Sequence, residues 1–293
     1  MKQRIPAFLK PGDLIGLSAT ARFATQEMID TAVEFIEKAG FNVHFEKDIL
    51  FQEGQVAGSI AQRIQSFNKL IHHDGIKAIW NIRGGYGSAD IVDTVDWLAL
   101  QKQPKWLIGF SDFTTFLLHA HQYGIPTIHA AMPISFKNTH NKHISDTFQV
   151  LAHGPQSLAL KDEYEPIRGT LLGGNLSVIS SIYGTPSLPS LDGAVLVLED
   201  LDEYHYHLDR MLLSLKRQGA FNGLKGVLLG QFSDIHDHEV PWGTAVEKTL
   251  RKHFDQLQIP VITNLPFGHT SEQFPLVIGS TAEVTKNRIE FTL

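Results

Sequence analysis

Trp106-Leu107-Ile108-Gly109-Phe110-Ser111-Asp112-Phe113 decides the fold class. A short apolar run meets a serine, and Phe113 to His121 then reads as a helix ended near Gly124. An apolar run without alternation is the pattern of a strand covered on both faces, and a strand feeding directly into a helix is the unit of a parallel sheet. The same unit recurs on the N-terminal side. Leu14-Ile15-Gly16-Leu17-Ser18 reads as a buried strand, followed by a helical stripe of Met28, Ile29, Ala32, Val33, Phe35, Ile36 and Ala39 that Gly40 stops. Phe41-Asn42-Val43-His44-Phe45 alternates like a strand, and Ser59 with Gln62 has the spacing of a capping box for a helix through Ile71. Ala78-Ile79-Trp80-Asn81-Ile82 and Pro126-Thr127-Ile128-His129 add two more strands, and Ser88 is placed to cap the helix after the first of these. The expected fold is therefore α/β, with helices on both faces of a parallel sheet.

Beyond this block the texture changes. Residues 154–166 are polar, carry no periodic stripe and read as an inter-domain linker. The expected organisation is an N-terminal α/β domain over 1–153, that linker, and a smaller mixed α/β domain over 167–293. In the second domain Ala194–Leu198, Gly226–Leu229, Val261–Leu265, Leu276–Ile278 and Arg288–Phe291 read as strands, and Leu208–Arg217 as a helix. The length of 293 residues suits one or two domains.

Composition removes several classes of function. With no cysteine there is no disulfide, thiolate nucleophile or cysteine-ligated metal. A net charge of -6 argues against a nucleic-acid partner, which calls for a basic face. No stretch reaches the roughly 18 consecutive apolar residues of a membrane span, and the basic start Met1-Lys2-Gln3-Arg4 is followed by too short an apolar run for a signal-peptide core. A cytoplasmic location is expected. The chain has 15 histidines. The groups His72/His73, His119/His121/His129, His205/His207 and His236/His238 lack the H-E-x-x-H spacing and any cysteine partner, so no metal and no cofactor is expected.

Four places could carry chemistry. Ser111 ends a strand where the next helix points its free amides, the position of an exposed nucleophile with an oxyanion site; the other reading is a plain N-cap. Phe113 stands where a G-x-S-x-G elbow would have its last glycine. In Arg83-Gly84-Gly85-Tyr86-Gly87, glycines admit a ligand close to the backbone and arginine can grip a carboxylate; an ordinary glycine turn fits equally. Glu199 ends a strand and could orient a histidine, or belong to a solvated acidic loop. His269, on the loop after a strand, suits acid–base work or a structural role.

Taken in order, Pro11-Gly12-Asp13, Arg83–Gly87, Gly109-Phe110-Ser111-Asp112, Gly173-Gly174-Asn175-Leu176, Leu198-Glu199-Asp200, Leu208-Asp209-Arg210-Met211-Leu212 and Gly268-His269 resemble the LD-carboxypeptidase family of serine peptidases over about Pro11 to Ala282. The resemblance implies a triad of Ser111, Glu199 and His269, with the active site between the two domains. It implies oxyanion donors at the Gly85 and Asp112 amides, and substrate contacts from Arg83, Gly84 and Tyr86. It further implies release of a C-terminal D-amino acid, typically D-Ala from a murein tetrapeptide, by a homodimer. His129-Ala130-Ala131-Met132 departs from relatives that carry glycine after that histidine, and His205 and His207 are unusual residues expected near the cleft. The competing readings are an amidase of the microcin C type on the same scaffold, a non-enzymatic peptide-binding protein and a metal hydrolase.

Overall fold

The computed structural model describes residues 3–293, so Met1 and Lys2 of the basic start lie outside the described residues. Two sheets organise the chain. In the first, β1 (Leu14–Ser18), β2 (Asn42–His44), β3 (Ile76–Asn81), β4 (Trp106–Gly109) and β5 (Thr127–His129) run parallel in the order β5-β4-β3-β1-β2. In the second, β6 (Leu158–Asn175), β7 (Ala194–Leu201), β8 (Gly226–Ser233) and β9 (Val261–Ile262) run parallel, and β11 (Thr281–Thr292) pairs antiparallel outside β6. β10 (Leu276–Ile278) lies late in the chain yet joins the first sheet, antiparallel to β5, with Leu276 opposite His129.

The apolar runs fold as strands because both faces are covered. Every residue of β4 is buried, and all of β3 except Lys77. Trp80 and Trp106 lie on one face of the first sheet, packed with Phe136 and Ile128. Leu107, Phe113 and Phe116 fill the other face. Removing each such side chain from water contributes roughly 1.5–3 kcal/mol. The first helix spans Gln26–Lys38 with Thr25 as its cap, and the capping box of Ser59 and Gln62 starts the helix Ile60–His72.

Several expectations need correction. Ser88 is not a cap. Gly87, at φ 126, holds the N-cap position, and Ser88 donates its amide to Asp112 Oδ2 at 2.8 Å and shares a hydrogen bond with Thr20. The helix expected from Leu208 begins at His205. The linker expected at 154–166 shrinks to the few residues before Leu158, where β6 begins. Its polar start pairs with β11 as a two-stranded ribbon, Leu158 opposite Ile289 and Tyr164 opposite Lys286, with two register shifts. Within 158–166 only Leu158, Leu160 and Tyr164 turn toward the core, with the buried Ile289 opposite Leu158, and the tip over 161–163 is exposed, so the apolar stripe is too short and interrupted to read. The division into 1–153 and 167–293 is also crossed by β10.

Candidate active site

β4 delivers Ser111 to the carboxyl edge of the first sheet. Phe110 is extended, Ser111 turns sharply to φ 60, and the helix Thr114–His121 follows. A non-glycine residue in the left-handed region is strained and persists only where its surroundings hold it. Gly109 helps to hold it, since a Cβ there would meet the Phe113 ring at 2.6 Å. Thus Phe113 tucks beneath the turn in place of the second glycine of the elbow motif. The Ser111 side chain caps neither the 3-10 turn nor the helix. That removes the N-cap reading.

The loop after β3 faces Ser111. A Cβ on Gly84 would lie 3.0 Å from Ser111 Oγ and 3.5 Å from the Asp112 amide, and Gly85 has φ 122 with the Arg22 side chain packed against it. Only glycine permits this approach. The loop is anchored from below by two buried charged groups. Arg63 donates to Gly87 O at 2.7 Å and to Thr20 O at 2.9 Å, while Asp112 accepts the Ser88 amide. Burial raises the Asp112 pKa against the opposing pull of that hydrogen bond. Arg83 donates to Phe23 O at 3.3 Å and lies over the Phe23 ring. Among the described residues, neither Arg83 nor Arg22 has a carboxylate partner. Burial lowers the Arg83 pKa first, and the neighbouring Arg22 charge lowers it further. Tyr86 is 73% exposed and its ring stands in solvent.

β7 supplies Glu199, which is fully buried. His269 Nδ1 sits 2.7 Å from Glu199 Oε2, leaving Nε2 for other work. Gly268, at φ 126, makes this approach possible: a Cβ there would lie 2.9 Å from Gln231 O and 3.3 Å from Glu199 Cβ. The His269 ring packs against Phe110, the residue before Ser111, with centroids 4.5 Å apart. Glu199 and His269 therefore meet, and the His269 ring packs on the residue next to Ser111, although no hydrogen bond joins Ser111 to His269 among the described residues. Such contacts are often long before substrate binds.

Electrostatics bind the pair together. Burial alone would push the Glu199 carboxyl up. The charge of His269, then the close approach of His129 and the His269 hydrogen bond, together outweigh that and hold it at about 2. His129 Nε2 lies 3.7 Å from Glu199 Oε1, beyond hydrogen-bond length. Neither ring nitrogen of this buried histidine has a hydrogen-bond partner among the described residues. His269 shows the reciprocal effect: burial lowers its pKa, but attraction from Glu199 and then Asp200 raises it on balance. Asp200 is pushed up to about 7 by burial and by Glu199, against donors from Leu201, Asn175 and Ser177. Asn175 links the sheets, donating its amide to Thr114 Oγ1 on the helix after Ser111 and its side chain to Asp200.

Arg22, Arg63, His129, Asn175 and Asp200 were not legible as a group, because each acts through a contact distant in sequence. His205 and His207 are tied to Thr249 and Glu203 respectively. Two surface hollows of about 550 and 560 Å³, beside Tyr183 and beside Lys161, are lined by none of Ser111, Glu199 or His269.

Comparison with known proteins bears on this geometry. The LD-carboxypeptidase N-terminal domain matches residues 15–130, and the C-terminal domain of the same family matches residues 168–284. The chain belongs to the LD-carboxypeptidase family. It is similar to the murein tetrapeptide carboxypeptidase of Pseudomonas aeruginosa, 27% identical over 292 residues and covering 94% of each chain. Its fold is that of muramoyltetrapeptide carboxypeptidase from Oxalobacter formigenes (TM-score 0.86, 24% identity, 96% of this chain and 99% of that one). It also matches the microcin C7 self-immunity protein MccF in its apo state (TM-score 0.89, 22% identity, 98% of both). In all of these family comparisons the match extends across both sheets. No helix among the described residues is long and apolar enough to cross a membrane.

Proposed function

We propose that the protein is a serine LD-carboxypeptidase that releases the terminal D-Ala of murein tetrapeptide. The observation that carries this is the backbone of Ser111, held at φ 60 at a strand end, with His269, bonded to the buried Glu199, packed against its neighbour Phe110. In this reading His269 Nε2 takes the Ser111 proton as Oγ attacks the amide carbonyl. Glu199 holds the other ring nitrogen and stabilises the imidazolium that forms. The Gly85 and Asp112 amides hold the tetrahedral oxyanion; such a donor is worth on the order of 100- to 1000-fold in rate. His269 then gives its proton to the leaving amine, D-Ala departs, and water releases the acyl group from Ser111 by the same route. Arg83, and with it Arg22, supplies the cation that a free C-terminal carboxylate needs beside the Gly84-Gly85 backbone. Tyr86 is placed to cover substrate from the solvent side. A cytoplasmic homodimer is part of this proposal.

The test is mass spectrometry of products from L-Ala-γ-D-Glu-diaminopimelate-D-Ala. Release of D-Ala, abolished in Ser111→Ala, supports the reading; unchanged release in that variant refutes the serine mechanism. A second reading is amide hydrolysis of an acylated nucleotide, favoured by a 24% identical relative, the microcin C7 self-immunity protein MccF of Escherichia coli. Turnover of an acyl-sulfamoyl adenylate beside the tetrapeptide separates the two.

A further inference from the structure

A second cluster of chemically capable side chains lies just beyond the His269 loop. His140 Nδ1 is 3.1 Å from Glu272 Oε1, and His143 Nε2 is 2.7 Å from Glu272 Oε2. The candidate ligand atoms of His140, His143 and Glu272 all fall within 4.8 Å of one another. His140 is the N-cap of the helix Asn141–His153 and His143 lies in its first turn, so the two rings sit side by side, 6.3 Å apart and nearly parallel. Glu272 comes from the C-terminal half, three residues after His269, and the His140 amide donates to Ser271 O at 3.0 Å. Behind His143, its Nδ1 faces Asp146 Oδ2 at 3.4 Å, and neither atom has a hydrogen-bond partner.

We infer that His140, His143 and Glu272 form a binding site for a borderline divalent metal, Zn²⁺ above all. Two imidazoles and one carboxylate are a zinc donor set, with one position left for water. Asp146, largely buried behind His143, stands where a slight approach to Nδ1 would fix a ligating imidazole's tautomer and strengthen it as a donor. Ligand atoms around tetrahedral zinc stand about 3.3 Å apart, given bonds of about 2.0–2.1 Å. The present 2.7 and 3.1 Å separations, each to a different Glu272 oxygen, therefore need to open by up to about 0.6 Å, while the two histidine nitrogens, no more than 4.8 Å apart, close by at most about 1.5 Å. His140 and Glu272 are 58% and 46% exposed at the side chain, which gives both that freedom and a path for the ion from solvent. Without metal Glu272 holds His143 by a hydrogen bond and His140 by an ion-pair contact, so the site is compatible with a folded metal-free chain. Bound metal ties the N-terminal half directly to the segment that carries His269. It stabilises that loop and takes no part in the reaction proposed above.

The experiment uses the full chain, freed of metal with a chelator and titrated with Zn²⁺ by calorimetry, with Mg²⁺ as the hard-cation control. Expected are one strong Zn²⁺ site per chain, no comparable Mg²⁺ binding, and a melting temperature higher by about 5 °C at 100-fold excess over Kd. Co²⁺ should give the visible band of a four-coordinate ion. His140→Ala, a largely exposed change, should weaken Zn²⁺ at least tenfold, and Glu272→Gln likewise. Absence of a strong site, or undiminished affinity in both folded variants, overturns the inference and leaves the cluster a hydrogen-bonded ion pair.

Discussion

Glu199→Gln isolates the contribution of the buried carboxylate with almost no change in volume. In the folded protein the carboxyl is held at about 2, against an ordinary value of 4.5. That net difference, on the order of 3 kcal/mol, is what His269 and His129 together supply beyond the burial penalty. Attraction to His269 is the largest of the effects that lower the Glu199 pKa, and it is mutual, so its loss withdraws support on the order of a few kcal/mol from the imidazolium that would develop on His269. By itself this predicts a fall in kcat/KM of roughly 200-fold. The amide adds a second loss, because its NH₂ can face His269 Nδ1 and favour the wrong tautomer. Triads whose orienting carboxylate becomes an amide lose on the order of 10⁴ in turnover. The expected loss therefore lies between about 10² and 10⁴. The assay is D-Ala release under kcat/KM conditions, with urea unfolding to establish that the variant is folded. A folded variant that retains more than about a tenth of wild-type kcat/KM would refute the role assigned to Glu199.

Other outcomes follow from the same geometry. In the proposed mechanism His269 must be neutral to accept the Ser111 proton, and attraction from Glu199 raises its pKa despite burial. Activity should therefore fall on acidification through a pH above 6.5, and this limb should move to lower pH in any Glu199→Gln protein with measurable turnover; a limb already well below 6.5 in wild type contradicts it. Gly268→Ala places a Cβ 2.9 Å from Gln231 O at a backbone φ of 126, which should cost about 1–3 kcal/mol in denaturant unfolding and displace His269 from Glu199, lowering kcat. Arg83→Ala or Arg22→Ala should raise KM roughly 10- to 100-fold, as expected for a lost charged hydrogen bond, with less effect on kcat. Equal handling of the free-acid and C-terminally amidated tetrapeptide by wild type would show that neither arginine reads a carboxylate.

Local features were the legible ones. The Thr25-capped helix and the Ser59–Gln62 capping box depend on residues within one turn, and the apolar runs of β3 and β4 announce strands buried on both faces. Ser111, Glu199 and His269 could be named because their motifs occur in a family order. The meeting of Glu199 and His269 could not be read from spacing, since they stand 70 positions apart. The left-handed backbone of Ser111 was also hidden, because nothing in the serine itself requires it; Gly109, Phe113 and the Gly84 loop impose it. The start of β6 was lost for a different reason: within it Leu158, Leu160 and Tyr164 alone face the core, and the exposed residues 161–163 interrupt their alternation. The histidine surplus gains partial explanation, with His119, His143 and His253 each bonded to a side chain distant in sequence.

The return of β10 to the first sheet has a consequence for any attempt to take the protein apart. Residues 1–153 alone would leave Thr127-Ile128-His129 as an open edge, with unpaired amides and the buried Ile128 beside them. Such an edge is a template for pairing between copies. A severed N-terminal half should therefore aggregate unless the 276–278 segment is supplied, as a fused tail or an added peptide. Two halves expressed separately would have to exchange this strand to become soluble together, and the exchange would position His269 in the same event.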